Sequence, residues 1–576
     1  MKAVIAFLLI AFTTSASAVS RIDIQIGQLT QSGIQAENIN ASLDMEGRWQ
    51  GKAMLKRAEL SEVAKNYKQL PVTVTQGTAS GQAHFSGSNT QLERLSADIR
   101  LQDVAFNDTE GSHAGEKISA TVKADIARVK DHWQWQDDIR WLGGEVFWQP
   151  LYFPSGGHVL AARGWWQNDV LAVEEGRVVF NGVGSLAFQG RIDTAAKSLT
   201  KLDLSGKALQ AAQGYELLAK PFLDKTMLGN LEMAGTLDVQ ASYAGGRVQA
   251  FNLGLHDADV EDKNGRFAIY KVNAAIPWSL NAVTDANVGF DGGRILQLTL
   301  GKTTLPARLE GWSLTAPEWK IPVLDGVLSL QDISLALIDG KWHGHLATSI
   351  APISMSEFSH AMGWPHMEGK LAASIPLVTY SDGLLTTDGA MGFDIFDGHI
   401  TVDKLVMREP LGRAPRLNTD ISMRGLDMDL LTRTFAFGAM EGRLDGDVAG
   451  LELSSWKPVK FDASFRSSPG KYPKKISQRA VENISALGGA GAAAAIQRSF
   501  LRFFKEFNYD RIGLSCRLRN GICAMDGVEP AKDGYIIVKG SGIPAITVMG
   551  YNHSVSWEEL LGRLQRVTQG NRPVIK

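Results

Sequence analysis

Beyond its first dozen residues the chain has no run of 18 or more apolar residues, so it lacks the length that a membrane-crossing helix needs. Cysteine is almost absent, with 2 in 576 residues, which excludes a disulfide-built scaffold and any paired Cys-x-x-Cys metal centre. Excess charge of one sign is lacking as well. The 59 basic and 61 acidic residues nearly cancel and form no basic block, which argues against a nucleic-acid partner. No His-Glu-x-x-His, Gly-x-Ser-x-Gly or phosphate-cradling loop occurs. Gly488, Gly489 and Gly491 lack the lysine and the preceding buried strand that such a loop requires. His343 and His345 share one face of a probable strand, but no third ligand accompanies them, so no metal is expected. The expectation is a protein that is not an enzyme and holds no cofactor.

What the sequence does contain is alternation. Leu95, Ala97, Ile99 and Leu101 alternate with Ser96, Asp98, Arg100 and Gln102, which places one set on each face of a strand. Leu237, Val239, Ala241 and Tyr243 repeat the arrangement against Asp238, Gln240 and Ser242. Hairpin dipeptides punctuate it at Asn181-Gly182, Asn264-Gly265, Asp325-Gly326, Asp339-Gly340, Asp382-Gly383 and Asp397-Gly398. Between Asp325 and Asp339 the apolar positions shift phase by one residue, which predicts a bulge near Gln331 or Asp332. The fold class expected is mainly β: an elongated, largely antiparallel curled sheet with a few short helices and a C-terminal helical cap. At about 4.8 Å per strand such a sheet reaches on the order of 140 Å at most. A two-sheet sandwich would bury the same apolar face without leaving a channel.

Met1 to Ala18 reads as a secretory signal, with Lys2, an apolar run from Ala3 to Phe12 and an Ala16-Ser17-Ala18 cleavage site; an uncleaved anchor is the alternative. The chain then divides into a repetitive β-rich region, 19–474, and a helix-hairpin-helix region, 475–576. Within the first, a short helix, a turn and an apolar-x-Gly-x-Leu strand recur around Gly235, Gly369 and Gly442. The helices are expected over Tyr215 to Met227, Ser356 to Met362 and Asp427 to Phe435. Trp133, Trp135, Trp141, Trp148, Trp165 and Trp166 form a cluster that suits either a lipid-facing lining or an ordinary core.

In the second region, Ala480, Val481, Ile484 and Leu487 fall on one helical face. A second helix, 492–507, sets Phe500, Phe503, Phe504 and Phe507 along one stripe opposite Arg498, Arg502 and Lys505. That pattern fits a helix lying in a membrane interface and equally one capping a sheet. A last helix opens at Ser556 with Leu560, Leu561, Leu564 and Val567 inward. Cys516 and Cys523 lie in one hairpin, and an exported chain meets oxidising conditions that favour a bond over two free thiols. A two-residue Asn520-Gly521 turn would pair Cys516 with Met525 and set the cysteines diagonally, whereas a four-residue loop, Leu518 to Gly521, would oppose them. The four-residue loop is expected, because it brings the sulfurs together more easily.

Phe437-Gly438, the Met440-Glu441-Gly442 turn, the Gly-rich segment from Ser485 to Ala495 and the hairpin from Tyr509-Asp510-Arg511 to Cys523 resemble the C-terminal part of bacterial AsmA-like proteins, nearest the YdbH-like branch and related to TamB-type lipid-transfer proteins. The resemblance covers roughly the last quarter of the chain. It implies a periplasmic protein with an apolar β-groove that shelters phospholipid acyl chains in transit between inner and outer membranes. The groove candidates are Leu328, Leu330, Leu335, Leu337 and Leu346, and the membrane-contact candidates are Phe500, Phe503, Phe504 and Phe507. A non-catalytic scaffold for outer-membrane biogenesis, working with an envelope protein partner, is the alternative.

Overall fold

The computed structural model describes residues 20–568 apart from 32–33, 47, 62–71, 90, 227, 364–365, 367–368, 411–413 and 489–503. The expected signal segment lies outside the described residues. Two compact units divide at Val288 and Gly289. In both, antiparallel strands dominate and the sheets curl, as the alternation predicts.

The first unit contains β1 (Arg21–Gln31), β2 (Ile34–Glu46), β3 (Arg48–Leu60), β4 (Thr73–Ser88), β5 (Gln91–Asn107), β6 (His113–Val129), β7 (His132–Trp148), β8 (Leu151–Phe153), β9 (His158–Gln167), β10 (Val170–Phe180), β11 (Gly184–Asp193), β12 (Ser198–Gln210), β13 (Leu231–Ala244), β14 (Arg247–Asp262) and β15 (Phe267–Ser279). Each strand pairs with the next in an up-and-down order, except that β8 is a short flap on β7 and β7 continues directly to β9. Burial follows the side-chain period: along β3 the apolar positions Trp49, Ala53 and Leu55 are half-buried while Gln50, Lys52 and Lys56 are exposed.

A belt of bulges crosses these strands. Gly77 of β4 lies against Val104, next to Asp103 of β5; Gly144 of β7 lies against Lys117 of β6; and Gly235 of β13 lies against Ala258, next to Asp257 of β14. Asp103, Lys117 and Asp257 all have left-handed backbone, with φ of 50°, 51° and 46°, and the registers slip beside each. A bulge bends its strand and sharpens the right-handed twist, so a row of them bends the sheet as a whole.

The helix-turn-Gly-strand repeat has a structural counterpart. Helical segments occupy Ala211–Leu223, Met355–Ala361 and Met428–Thr434, close to the expected spans, although the first starts four residues early. Each begins with a buried apolar residue, Ala211, Met355 or Met428. The N–H groups of Met355 and Met428 donate to the carbonyls of Gly369 and Gly442 at 3.0 and 3.1 Å. Gly235, Gly369 and Gly442 have φ of 87°, 106° and 139°, a region that side chains with a Cβ avoid.

Hairpins turn at Asp339-Gly340 and Asp382-Gly383 as expected. At two others the turn falls one residue early, on Leu324-Asp325 and Phe396-Asp397, and the glycine already pairs in the next strand, while Asn181-Gly182 and Asn264-Gly265 lie in longer turns, 181–183 and 263–266. At the second site burial decides: Phe396 is a core residue packed with Met355. The phase shift in the strand Gly326–Ile338 is real, since pairing slips between Gln331 and Ser334 and Asp332 has φ of 50°.

The C-terminal part has a closed core. Helix Gln478–Gly488 puts Ala480, Val481 and Ile484 into it, and the terminal helix Trp557–Thr568 adds Leu560 and, half-buried, Leu564. Leu561 is exposed and faces away from that core, because the core contacts of this helix run through positions 557, 560 and 564.

Candidate functional site

The feature that strand register builds in the first unit is a broad apolar face. One cross-strand row runs through Ile24, Ala41, Ala53, Ala83, Ala97, Ala124, Asp137, Ala162 and Gly176, from β1 to β10. It continues through Phe188, Leu204, Ala241, Phe251 and Trp278 to β15. Phe251 and Trp278 stack with centroids 5.3 Å apart. The row on one side passes Leu55, Ile99, Val122, Ile139, Leu160 and Val178, and the row on the other passes Phe85, Leu95, Ile126 and Trp135. From β2 to β10, Asp137 apart, small side chains therefore form the middle of the face and large ones its two sides; from β11 to β15, Ala241 apart, the middle row itself turns large and aromatic. Where large rings oppose glycine they lie over it, as Phe85 does over Gly51 and Phe188 over Gly176.

The opposite face is wet. Ser42, Lys52, His84, Ser96, Asp125, Gln136 and Arg163 form one of its rows, with ion pairs such as Arg94 to Asp125 at 2.9 Å. Exposed pairs of this kind contribute at most about 1 kcal/mol each. A hollow of about 620 Å³ opens over β11 to β15. Its walls include Ala187, Ser205, Gln240, Asn252 and Pro277 in one row and Gln189, Asp203, Ser242 and Ser279 in another. Phe188, Leu204, Ala241, Phe251 and Trp278 of the apolar row line it as well, so residues of both alternating sets border the hollow.

Asp137 is the exception within the apolar rows. Burial pushes its carboxyl up from the ordinary carboxylate range, with Asp138 adding to the rise. Its Oδ1 and the Nε1 of Trp135 are both buried without a hydrogen-bond partner. Sequence alternation could have flagged Asp137, because Trp133, Trp135, Asp137 and Ile139 share one period-2 set; the Asp137-Asp138 pair obscures it by supplying an acid on each face.

In the second unit, Leu328, Leu330, Leu335, Leu337 and Leu346 share one sheet face, the bulge at Gln331 preserving the side of the last three. Four are half-buried and Leu335 is exposed at 37%. From Leu328 the register runs through Ile350, Ala373, Phe393, Ile400, Met423 and Gly446 to Phe465 and Leu514. At this end Phe461, Ala463, Cys516 and Leu518 lie under the two helices. The apolar face of the second unit is thus covered where the chain ends.

The phenylalanine stripe is not one helix. Phe500 and Phe503 lie outside the described residues. Phe504 is half-buried against the C-terminal core, and Phe507 lies in strand Glu506–Arg519, paired with Ile476 and 1% exposed. At Phe507 β-pairing with Lys475–Ser477 takes the place of the expected helix, and Phe507 is a core side chain instead of a membrane contact.

Cys516 and Cys523 are bonded, with Cα atoms 5.4 Å apart, but the hairpin differs from the expected one. Asn520-Gly521 makes a two-residue turn with φ of 51° and 76°, Cys516 pairs with Met525, and Leu518 pairs with Cys523. The cysteines are diagonal, and the right-handed twist of the strands brings that diagonal within bonding reach.

His343 and His345 separate in role: His343 Nδ1 meets Ser381 Oγ at 3.0 Å, while His345 is exposed. No group of three potential metal ligands occurs among the described residues, and no described helix is long and apolar enough to cross a membrane. No family model, curated protein or solved structure matches the chain.

Proposed function

We propose that this protein binds lipid acyl chains on its apolar sheet face and carries phospholipid between membranes of the cell envelope, as an AsmA-like protein of the periplasm would. The observation that supports the reading is the row from Ile24 to Trp278, which keeps one face apolar across strand after strand except at Asp137. A soluble chain gains nothing by leaving such a face for water, whereas each acyl methylene placed against it contributes about 0.8 kcal/mol. The chemistry is non-catalytic and needs no cofactor.

Mass spectrometry of the purified full chain tests this. Co-purifying phospholipid, together with labelling of lipid by photo-crosslinkers placed at Ala97, Leu330 or Leu337, is the expected result. Absence of bound lipid together with absence of labelling would remove the transport reading and leave a non-catalytic scaffold in outer-membrane assembly, for which capture of an envelope protein by the same crosslinkers is the signature.

A further inference from the structure

One carboxylate oxygen of Asp137 and the indole N–H of Trp135, each buried without a hydrogen-bond partner, belong to half-buried side chains two residues apart on the apolar face of β7. Asp137 is flanked across the strands by Ala124 and Ala162. Trp135 is flanked by Ile126 and Gly164, and Ile139 by Val122 and Leu160. The neighbouring charged side chains Lys123, Asp125, Asp138, Arg140 and Arg163 occupy the alternate positions of their strands and so point to the wet face. On the apolar face of β6 the cation nearest in register is Arg128, opposite Trp133 and hydrogen-bonded to Gln91, so no cation occupies the positions that flank Asp137. A buried polar group without a partner is destabilising, and two neighbouring ones of opposite hydrogen-bonding character offer an acceptor and a donor.

We propose that Asp137 and Trp135 form a polar subsite within the apolar face, which takes a zwitterionic head group of an amphiphile, its ammonium on the Asp137 carboxylate and a phosphate or ester oxygen on the Trp135 N–H. This rests on the lipid-binding reading and adds a choice of ligand to it. A head group carrying negative charge alone places that charge beside Asp137 and is disfavoured. The acyl chains have hydrocarbon on either side of the subsite, along Ala83, Ala97 and Ala124 in one direction and Ala162, Gly176 and Phe188 in the other.

The full chain is incubated with vesicles of phosphatidylethanolamine or of phosphatidylglycerol, re-isolated, and its bound lipid quantified. The wild-type protein is expected to hold about five- to tenfold more of the ethanolamine lipid, the ratio that about 1–1.4 kcal/mol produces. Asp137→Asn, which keeps the shape and removes the charge, brings that ratio toward one while total acyl uptake persists. Trp135→Phe lowers retention of both lipids. Because Asp137→Asn removes an unpaired charge from an apolar surface, its thermal midpoint is expected at or above that of the wild type, which separates loss of selectivity from loss of fold. A wild-type ratio near one, or an unchanged ratio in Asp137→Asn, overturns the subsite while leaving acyl binding intact. Failure of the wild type to retain either lipid overturns both.

Discussion

The phenol of Tyr509 donates a hydrogen bond to the carbonyl of Glu441 at 2.7 Å and occupies the space where a β-carbon on Gly442 would stand. Burial pushes that phenol far above its ordinary pKa, so it remains a donor at any physiological pH. Gly442 in turn has φ of 139° and accepts the N–H of Met428. The third copy of the repeat is thus locked to the C-terminal core. Gly442→Ala is expected to destabilise the second unit by about 2–3 kcal/mol through backbone strain and the clash with Tyr509. Tyr509→Phe is expected to lose about 1–2 kcal/mol by orphaning the Glu441 carbonyl. Urea unfolding followed by circular dichroism measures both, and a Gly442→Ala midpoint equal to wild type contradicts the lock.

The Cys516 to Cys523 bond closes a short loop inside a hairpin that main-chain pairing already defines. Loop-closure entropy for eight residues corresponds to about 2.5 kcal/mol. The Cys516→Ser/Cys523→Ser variant should unfold at lower urea by that order, and reductant should shift the wild type but not the variant. Equal midpoints with and without reductant would show that pairing alone sets the register.

Ala97 and Ala124 occupy adjacent positions in the middle row of the apolar face, with larger residues on either side. Replacing Ala97 by Phe adds a ring to a half-buried position that faces outward from the strand, so the fold is expected to survive. Retained lipid should fall several-fold. Full retention in Ala97→Phe would argue that acyl chains do not use this row.

His158 packs among Trp141, Phe153 and Phe180. Its Nδ1 accepts the Asn181 N–H at 3.1 Å, and Nε2 lies 3.0 Å from the Ser155 carbonyl, an arrangement that requires the neutral ring. Burial lowers its pKa below 6.5. The folded state binds this proton less readily than the unfolded chain, so the contribution to stability is complete above about pH 6.5 and is lost as pH falls through the lowered value. The thermal midpoint of the wild type should therefore drop between pH 7.5 and pH 5 by more than that of His158→Gln. Parallel pH profiles would exclude His158 as the cause.

Sequence alone determined the β class, the facing of the strands and the three helix-Gly units, because period-2 alternation and turn glycines are local properties whose meaning does not depend on distant residues. Leu328 and Leu337 were placed on one face, bulge included, by that reasoning. Tertiary structure decided the rest. Phe507 changed from helix to strand because Ile476 offers it a pairing partner 31 residues away. The turn moved from Gly398 to Phe396 because that ring is buried with Met355, and the cysteines bonded diagonally because twist acts on whole strands. The alanine row with Asp137 in its midst is set by registers between strands, and register is fixed by pairing energies summed along each ladder, which no single stretch of sequence contains.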